Sequence, residues 1–185
     1  NLPAVDEPCD YPDKGETVRP LYDYFYDKHG NLVGIWDPNY RLTVFMYNHL
    51  NRQSRRYMPF KYTGQLSTAE DIYNIELTGK AFEQSEYDRL GRVVRKTDFK
   101  KQDTRYEYNE RGLLEYKKLY SFVDDNSDGG NDIYPADPCE TIQYVYDSLG
   151  RKTQIIESRG TTYYSYDDDG RVTEVNSPEG VINYD

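Results

Sequence analysis

The chain has 185 residues and a formal net charge of -10, from 23 basic against 33 acidic side chains. That balance argues against a nucleic-acid partner and against adhesion to anionic lipid, and no apolar run reaches the roughly 20 residues that membrane insertion by a helix requires. Hydrophobic residues are only 36% and charged residues 30%, which leans toward disorder, but the 21 tyrosines reverse that reading, because Tyr is large, amphipathic and suited to a half-wet sheet. The sequence opens without Met and shows no signal peptide, so it reads as a processed or trimmed product.

Residues 1–18 are rich in Pro and acid and are expected to form an irregular lead-in to a single β-domain over 19–185. From there the chain is self-similar. Six frames align on Tyr26, Tyr47, Tyr87, Tyr108, Tyr146 and Tyr166. The next residue is Asp27, Asn48, Asp88, Asn109, Asp147 or Asp167, and four places after the Tyr stands Gly30, Asn51, Gly91, Gly112, Gly150 or Gly170. Arg follows in four of the six frames, as Arg52, Arg92, Arg151 and Arg171. Asp or Asn opening a turn can bond to backbone two residues on. Gly or Asn at the fourth place tolerates the left-handed region. Together they predict a type I turn that closes a hairpin, with a bulge beside it. Tyr24, Phe45, Tyr106, Tyr144 and Tyr164 stand two residues before their frame Tyr and so share its face of the incoming strand.

Frame spacings of 21 residues (Tyr26 to Tyr47, Tyr87 to Tyr108) and 20 (Tyr146 to Tyr166) leave room for a second turn and two strands of ordinary length. Asp37-Pro38-Asn39, Arg159-Gly160 and Pro178-Glu179-Gly180 supply such turns. The expected fold is all-β: a curved antiparallel meander, open or partly rolled. Two longer intervals interrupt it. An irregular insert is expected at about 54–72, within which Ser67-Thr68-Ala69-Glu70-Asp71 would cap a short helix. The other interval holds an acidic loop over 124–138.

These residues resemble the RHS/YD-repeat family, whose motif is an aromatic, one residue, Tyr-Asp, two residues, then Gly-Arg. Tyr144-Val145-Tyr146-Asp147-Ser148-Leu149-Gly150-Arg151 and Tyr164 through Arg171 match it best, and Tyr87 through Arg92 nearly as well. The resemblance implies the spiralling sheet of bacterial RHS toxins, insecticidal ABC toxin shells and teneurins. It also implies a non-catalytic structural and interaction module of an exported bacterial RHS/YD-repeat protein, secreted or on the cell surface, with neighbouring YD repeats or another protein as partner. A carbohydrate-binding module at the cell surface is the alternative, with glycan as partner. The frames here are too few for a closed shell.

Candidate sites follow. Asp124, Asn126, Asp128, Gly130 and Asp132 match the first part of an EF-hand-like calcium loop, with calcium as the candidate cofactor, although Pro135 stands where a bidentate Glu belongs; the alternative is a solvated acidic loop, which such composition gives freely. Trp36, Tyr144, Tyr146, Tyr164 and Tyr166 could stack on sugar rings, or could instead make the sheet by cross-strand pairing. Cys9 and Cys139 suit either one disulfide of an exported protein or two thiols. The frame arginines are read as structural, pairing with the turn Asp of a neighbouring hairpin or stacking on Tyr. His29 and His49 lie in turns without a recognisable nucleophile elbow, so no enzyme is expected.

Overall fold

The computed structural model describes residues 21–121 and 137–184. The lead-in, Cys9 and the calcium-loop residues Asp124, Asn126, Asp128, Gly130 and Asp132 lie outside the described residues. The described residues form thirteen strands and one short helix. The strands are β1 (Asp23–Tyr26), β2 (Leu32–Trp36), β3 (Arg41–Tyr47), β4 (Gln53–Lys61), β5 (Phe82–Tyr87), β6 (Val93–Thr97), β7 (Asp103–Tyr108), β8 (Leu114–Tyr120), β9 (Glu140–Tyr146), β10 (Lys152–Glu157), β11 (Gly160–Tyr166), β12 (Val172–Ser177) and β13 (Gly180–Asn183), and the helix is α1 (Ala69–Tyr73). The fold is therefore an all-β antiparallel meander. The chain divides into two compact units, one ending at Phe82 and one beginning at Glu83.

In the first unit each strand pairs antiparallel with the next in sequence. Register places Phe25, Gly34, Val44 and Tyr57 in one row across β1 to β4. Phe25, Val44 and Tyr57 are buried, and Ile72 of α1, also fully buried, closes over the row at its glycine. Gly34 permits this, because a Cβ there would stand 2.9 Å from Ile72 Cδ1. The helix is set by a capping box: Thr68 Oγ1 accepts from Asp71 N, and Asp71 Oδ2 accepts from the Thr68 and Ser67 amides, each at 2.8 Å. Those bonds hold the Asp71 carboxyl below its ordinary range. Leu66, Ala69, Ile75 and Leu77 pack around the same core. The insert is thus a lid for this core, and it is shorter than the sequence suggests. Residues 53–61 are β4, paired along β3, because Tyr57 and Phe60 fall opposite Val44 and Leu42 on the buried face.

The second unit runs in sequence order from β5 to β13, and β8 pairs directly with β9, setting Tyr116 opposite Gln143. Among its described residues only Asp103 and Tyr120 are buried. Most of its strand residues are half-buried, so cross-strand contacts rather than a thick core must hold it. Two-residue loops join β10 to β11 and β12 to β13. At the first, Gly160 has φ 134°, and a Cβ would stand 2.6 Å from Pro178 Cγ of the adjacent loop. Gly160→Ala should therefore destabilise by about 1–3 kcal/mol through overpacking, plus a backbone penalty. Pro178→Ala should recover only the steric part, as read from urea midpoints. If Gly160→Ala unfolds like wild type, these loop tips do not touch in solution.

Candidate functional site

The repeated turn is the most specialised chemistry among the described residues. In the Asp147 turn, Oδ1 accepts from Leu149 N and Arg151 N at 2.9 Å each, while Gly150 N donates to Asp147 O and Asp147 N to Arg151 O. Asp27, Asn48 and Asn109 use one side-chain oxygen in the same way. Asn therefore serves where Asp is lost. Gly30, Gly91, Gly112, Gly150 and Gly170 have φ between 79° and 88°, and Asn51 has φ 56°. The pairing register slips beside the frame Tyr of each turn, at Tyr26, Tyr47, Tyr87, Tyr108 and Tyr166, and between Lys152 and Gln154 after Tyr146.

What Asp adds to Asn is a second oxygen. Asp88 Oδ2 accepts from Arg92 Nε and Asp147 Oδ2 from Arg151 Nε, each at 2.7 Å. Asp167 and Arg171 approach more loosely, at 3.8 Å. Arg92, Arg151 and Arg171 thus pair with the Asp of their own turn rather than of a neighbour, and the guanidinium groups of Arg92 and Arg151 then lie over the Tyr of the next frame. Arg92 Cζ is 4.4 Å from the Tyr108 ring centre and Arg151 Cζ 4.6 Å from that of Tyr166. The Tyr in turn donates its hydroxyl backward, Tyr108 to Val93 O and Tyr166 to Lys152 O, as Tyr47 does to Leu32 O and Tyr146 to Leu114 O. Each such bond is worth about 1 kcal/mol and each stacked cation about 0.5–1 kcal/mol. Carboxylate, guanidinium, phenol and carbonyl form a ladder from hairpin to hairpin. The hydroxyl bond was missed in the sequence, although a signal existed: all six frame positions are Tyr and none is Phe.

The first link uses other residues. Asn31 stands where Arg would, and its amide donates to Asp27 Oδ2 at 2.8 Å and to Asn51 Oδ1 at 3.1 Å. A short side chain at the Arg place is met by a longer one at the next Gly place.

Arg151 bonding holds the Asp147 carboxyl below its ordinary range, and the Asn31 amide does so for Asp27. At Asp88 burial pushes the other way, but the bonds and charge of Arg92 outweigh it. A depressed folded value means stabilisation that is complete above the unfolded value of about 3.9 and is lost as pH falls through the folded value. Asp147→Asn keeps the turn acceptor and removes the charge. Wild type should therefore lose urea stability more steeply than Asp147→Asn between about pH 5 and pH 2. Parallel curves would mean the carboxylate adds nothing to the fold.

The remaining candidates are dispersed. Trp36 is partly buried against the first unit's core, edge-on to Tyr40 at 5.9 Å, and its Nε1 is buried with no hydrogen-bond partner. Tyr144 and Tyr164 are half-buried, and Lys152 Nζ sits 4.6 Å over the Tyr144 ring. Tyr146 and Tyr166 are engaged in the ladder. Cys139 is exposed, its thiol 3.1 Å from Leu119 O. His29 and His49 border one open cleft of about 380 Å³, together with Asp27, Tyr47 and Tyr73. Asp27 there has both oxygens committed to its own turn and Asn31. Among the described residues no group of three or more His, Cys, Asp or Glu is placed to hold a metal ion, and no helix is long and apolar enough to cross a membrane.

Fold and ladder together define a tandem-hairpin β-repeat protein. The RHS Repeat family model matches residues 146–182. Over that stretch the chain is similar to an RHS repeat. Its fold is similar to part of the crystal structure of TcdB2-TccC3-Cdc42 (TM-score 0.58, 16% identity, covering 92% of this chain and 9% of that one). It is similar also to part of TcdB2-TccC3 without its hypervariable C-terminal region (TM-score 0.57, 14% identity, 83% and 7%). The chain thus spans less than a tenth of the length of those structures. No curated protein matches it by sequence.

Proposed function

We propose that the chain is a non-catalytic structural and interaction module of an exported, toxin-related RHS/YD-repeat protein, held against further repeats or another protein at the bacterial surface or outside the cell. The observation that carries this reading is where the motif side chains go. Asp, Arg and Tyr of the repeat, the groups best able to bind a ligand, are engaged with one another and with backbone between hairpins. Similarity of fold to part of TcdB2-TccC3 supports the same reading. Electron microscopy of the protein in which this segment resides tests it, with the hairpins expected inside a continuous wall of repeats. An isolated lobe, with a sugar bound specifically at Tyr144 or Tyr164 on a glycan array, would replace it with the carbohydrate reading. Calcium at Asp124, Asn126, Asp128 and Asp132 belongs to the proposal as well. Calorimetry should show heat for wild type that Asp128→Ala abolishes, and silence in wild type removes the ion.

A further inference from the structure

The frame at Tyr108 lacks the ladder's usual parts. Asn109 replaces Asp and Leu113 stands at the Arg place, and the next frame begins 38 residues later, at Tyr146. An Arg at 113 would find no second carboxylate oxygen to hold its Nε. Yet a guanidinium does reach the next turn. Arg111, from inside the Asn109 turn, donates through Nη1 to Asp147 O at 2.8 Å and through Nη2 to Ser148 O at 2.9 Å. Its Nη2 stands 3.5 Å from where a Cβ would sit on Gly150. Arg92 Nη1 has the same relation to Gly112 at 3.5 Å, and Arg151 Nη1 to Gly170 at 3.8 Å. Arg151 Nη1 also points at a turn carbonyl, Asp167 O, at 3.4 Å.

We propose that Arg111 is the link guanidinium of its frame, relocated two residues upstream, and that it sets the neighbour pairing of the Asn109 and Asp147 turns across the longest interruption in the second unit. The destination is the same as for the frame arginines, the carbonyl and the left-handed glycine of the following turn. Only the anchor differs. Arg92 and Arg151 are held through Nε by their own Asp, whereas Arg111 uses both Nη groups on backbone and needs no carboxylate. The Asn31–Asn51 pair is an independent instance of the rule, since there too the link persists while its residues change. The two arms of the fork demand a planar donor, so a point charge cannot replace it.

The test is amide hydrogen exchange on the full chain, read at Gly150 and Arg151, with Gly112 as an internal control. Arg111→Ala and Arg111→Lys should both speed exchange at Gly150 and Arg151 by roughly tenfold or more, the factor that ~1.4 kcal/mol represents, and leave Gly112 unchanged. Arg111→Ala combined with Asn109→Asp and Leu113→Arg rebuilds the standard frame and should return exchange to the wild-type rate. Unchanged exchange in Arg111→Ala overturns the proposal. So does a triple variant as fast as Arg111→Ala, because Arg111 would then be a local turn contact rather than a moved link.

Discussion

Ile72→Ala is expected to lower the stability of the first unit by about 2–5 kcal/mol, in the upper part of that range. The cost of such a truncation depends on whether neighbours can collapse into the space. Here they cannot easily do so, because the position facing Ile72 is Gly34, which has no side chain to move, between Phe25 and Val44 in the row beneath. The complementary change is Gly34→Ala. Its methyl would meet Ile72 Cδ1 at 2.9 Å and Phe25 Cδ2 at 3.2 Å, a cost of about 1–3 kcal/mol. The double variant should be less damaged than the sum of the two, since the new methyl enters the space Ile72 leaves. Urea unfolding followed by fluorescence measures this cleanly, because Trp36 is the chain's only tryptophan and packs against this core. Additivity within about 0.5 kcal/mol would show that the two positions do not touch.

What could be read from the sequence was what depends on neighbours along the chain. A turn carboxylate bonding to amides two and four residues on needs no knowledge of register, so the Asp27, Asp88 and Asp147 turns stand out unaided. The Thr68–Asp71 cap is local in the same sense. A turn at Asp98 escaped notice for a related reason. It makes the same bonds, with Lys100 N and Gln102 N donating to Asp98 Oδ1, but Lys101 rather than Gly takes the left-handed place at φ 62°. Tyr40 does likewise at φ 58° in the turn after Asp37. Asp at the first position is the usable signal, as at Asp37-Pro38-Asn39, and a glycine three places on is not required. The links between hairpins were harder still. Arg151 over Tyr166, Asn31 against Asn51 and Arg111 on the Asp147 turn depend on which strand lies beside which, and on a bulge that offsets the partners by one residue. Ile72 over Gly34 depends on a helix folding back across the sheet, and nothing within ten residues of either position announces it.

Asp103→Ala should cost about 3–5 kcal/mol, the largest effect expected in the second unit. Register sets Arg95 directly opposite Arg105 on β6 and β7. Like charges so placed repel, and Asp103 reconciles them. Its side chain is fully buried, Oδ1 accepting from Arg95 Nε at 2.9 Å and Oδ2 from Arg105 Nε at 3.1 Å. Arg105 also covers the Tyr120 ring at 4.2 Å, so the carboxylate sits beneath two guanidinium groups and beside the unit's one buried aromatic among the described residues. Removing it leaves two facing cations, Arg95 keeping Glu86 Oε1 at 3.4 Å, and an empty acceptor position. Asp103→Asn keeps the volume but offers one acceptor oxygen and no charge, so it should recover only a small part of the loss. The arginines are 31% and 42% exposed and can turn toward water. That freedom tempers the loss in Asp103→Ala, whereas Arg95→Ala or Arg105→Ala leaves the buried carboxylate with a single guanidinium and should cost a comparable amount. Replacing all three by Met, Leu and Met should regain most of the stability, as apolar substitutes for buried ion clusters do elsewhere. Circular dichroism in urea measures the series. A shift below about 0.5 kcal/mol for Asp103→Ala, the size of an ordinary surface change, would mean that this carboxylate is open to water and that the facing arginines are tolerated without it.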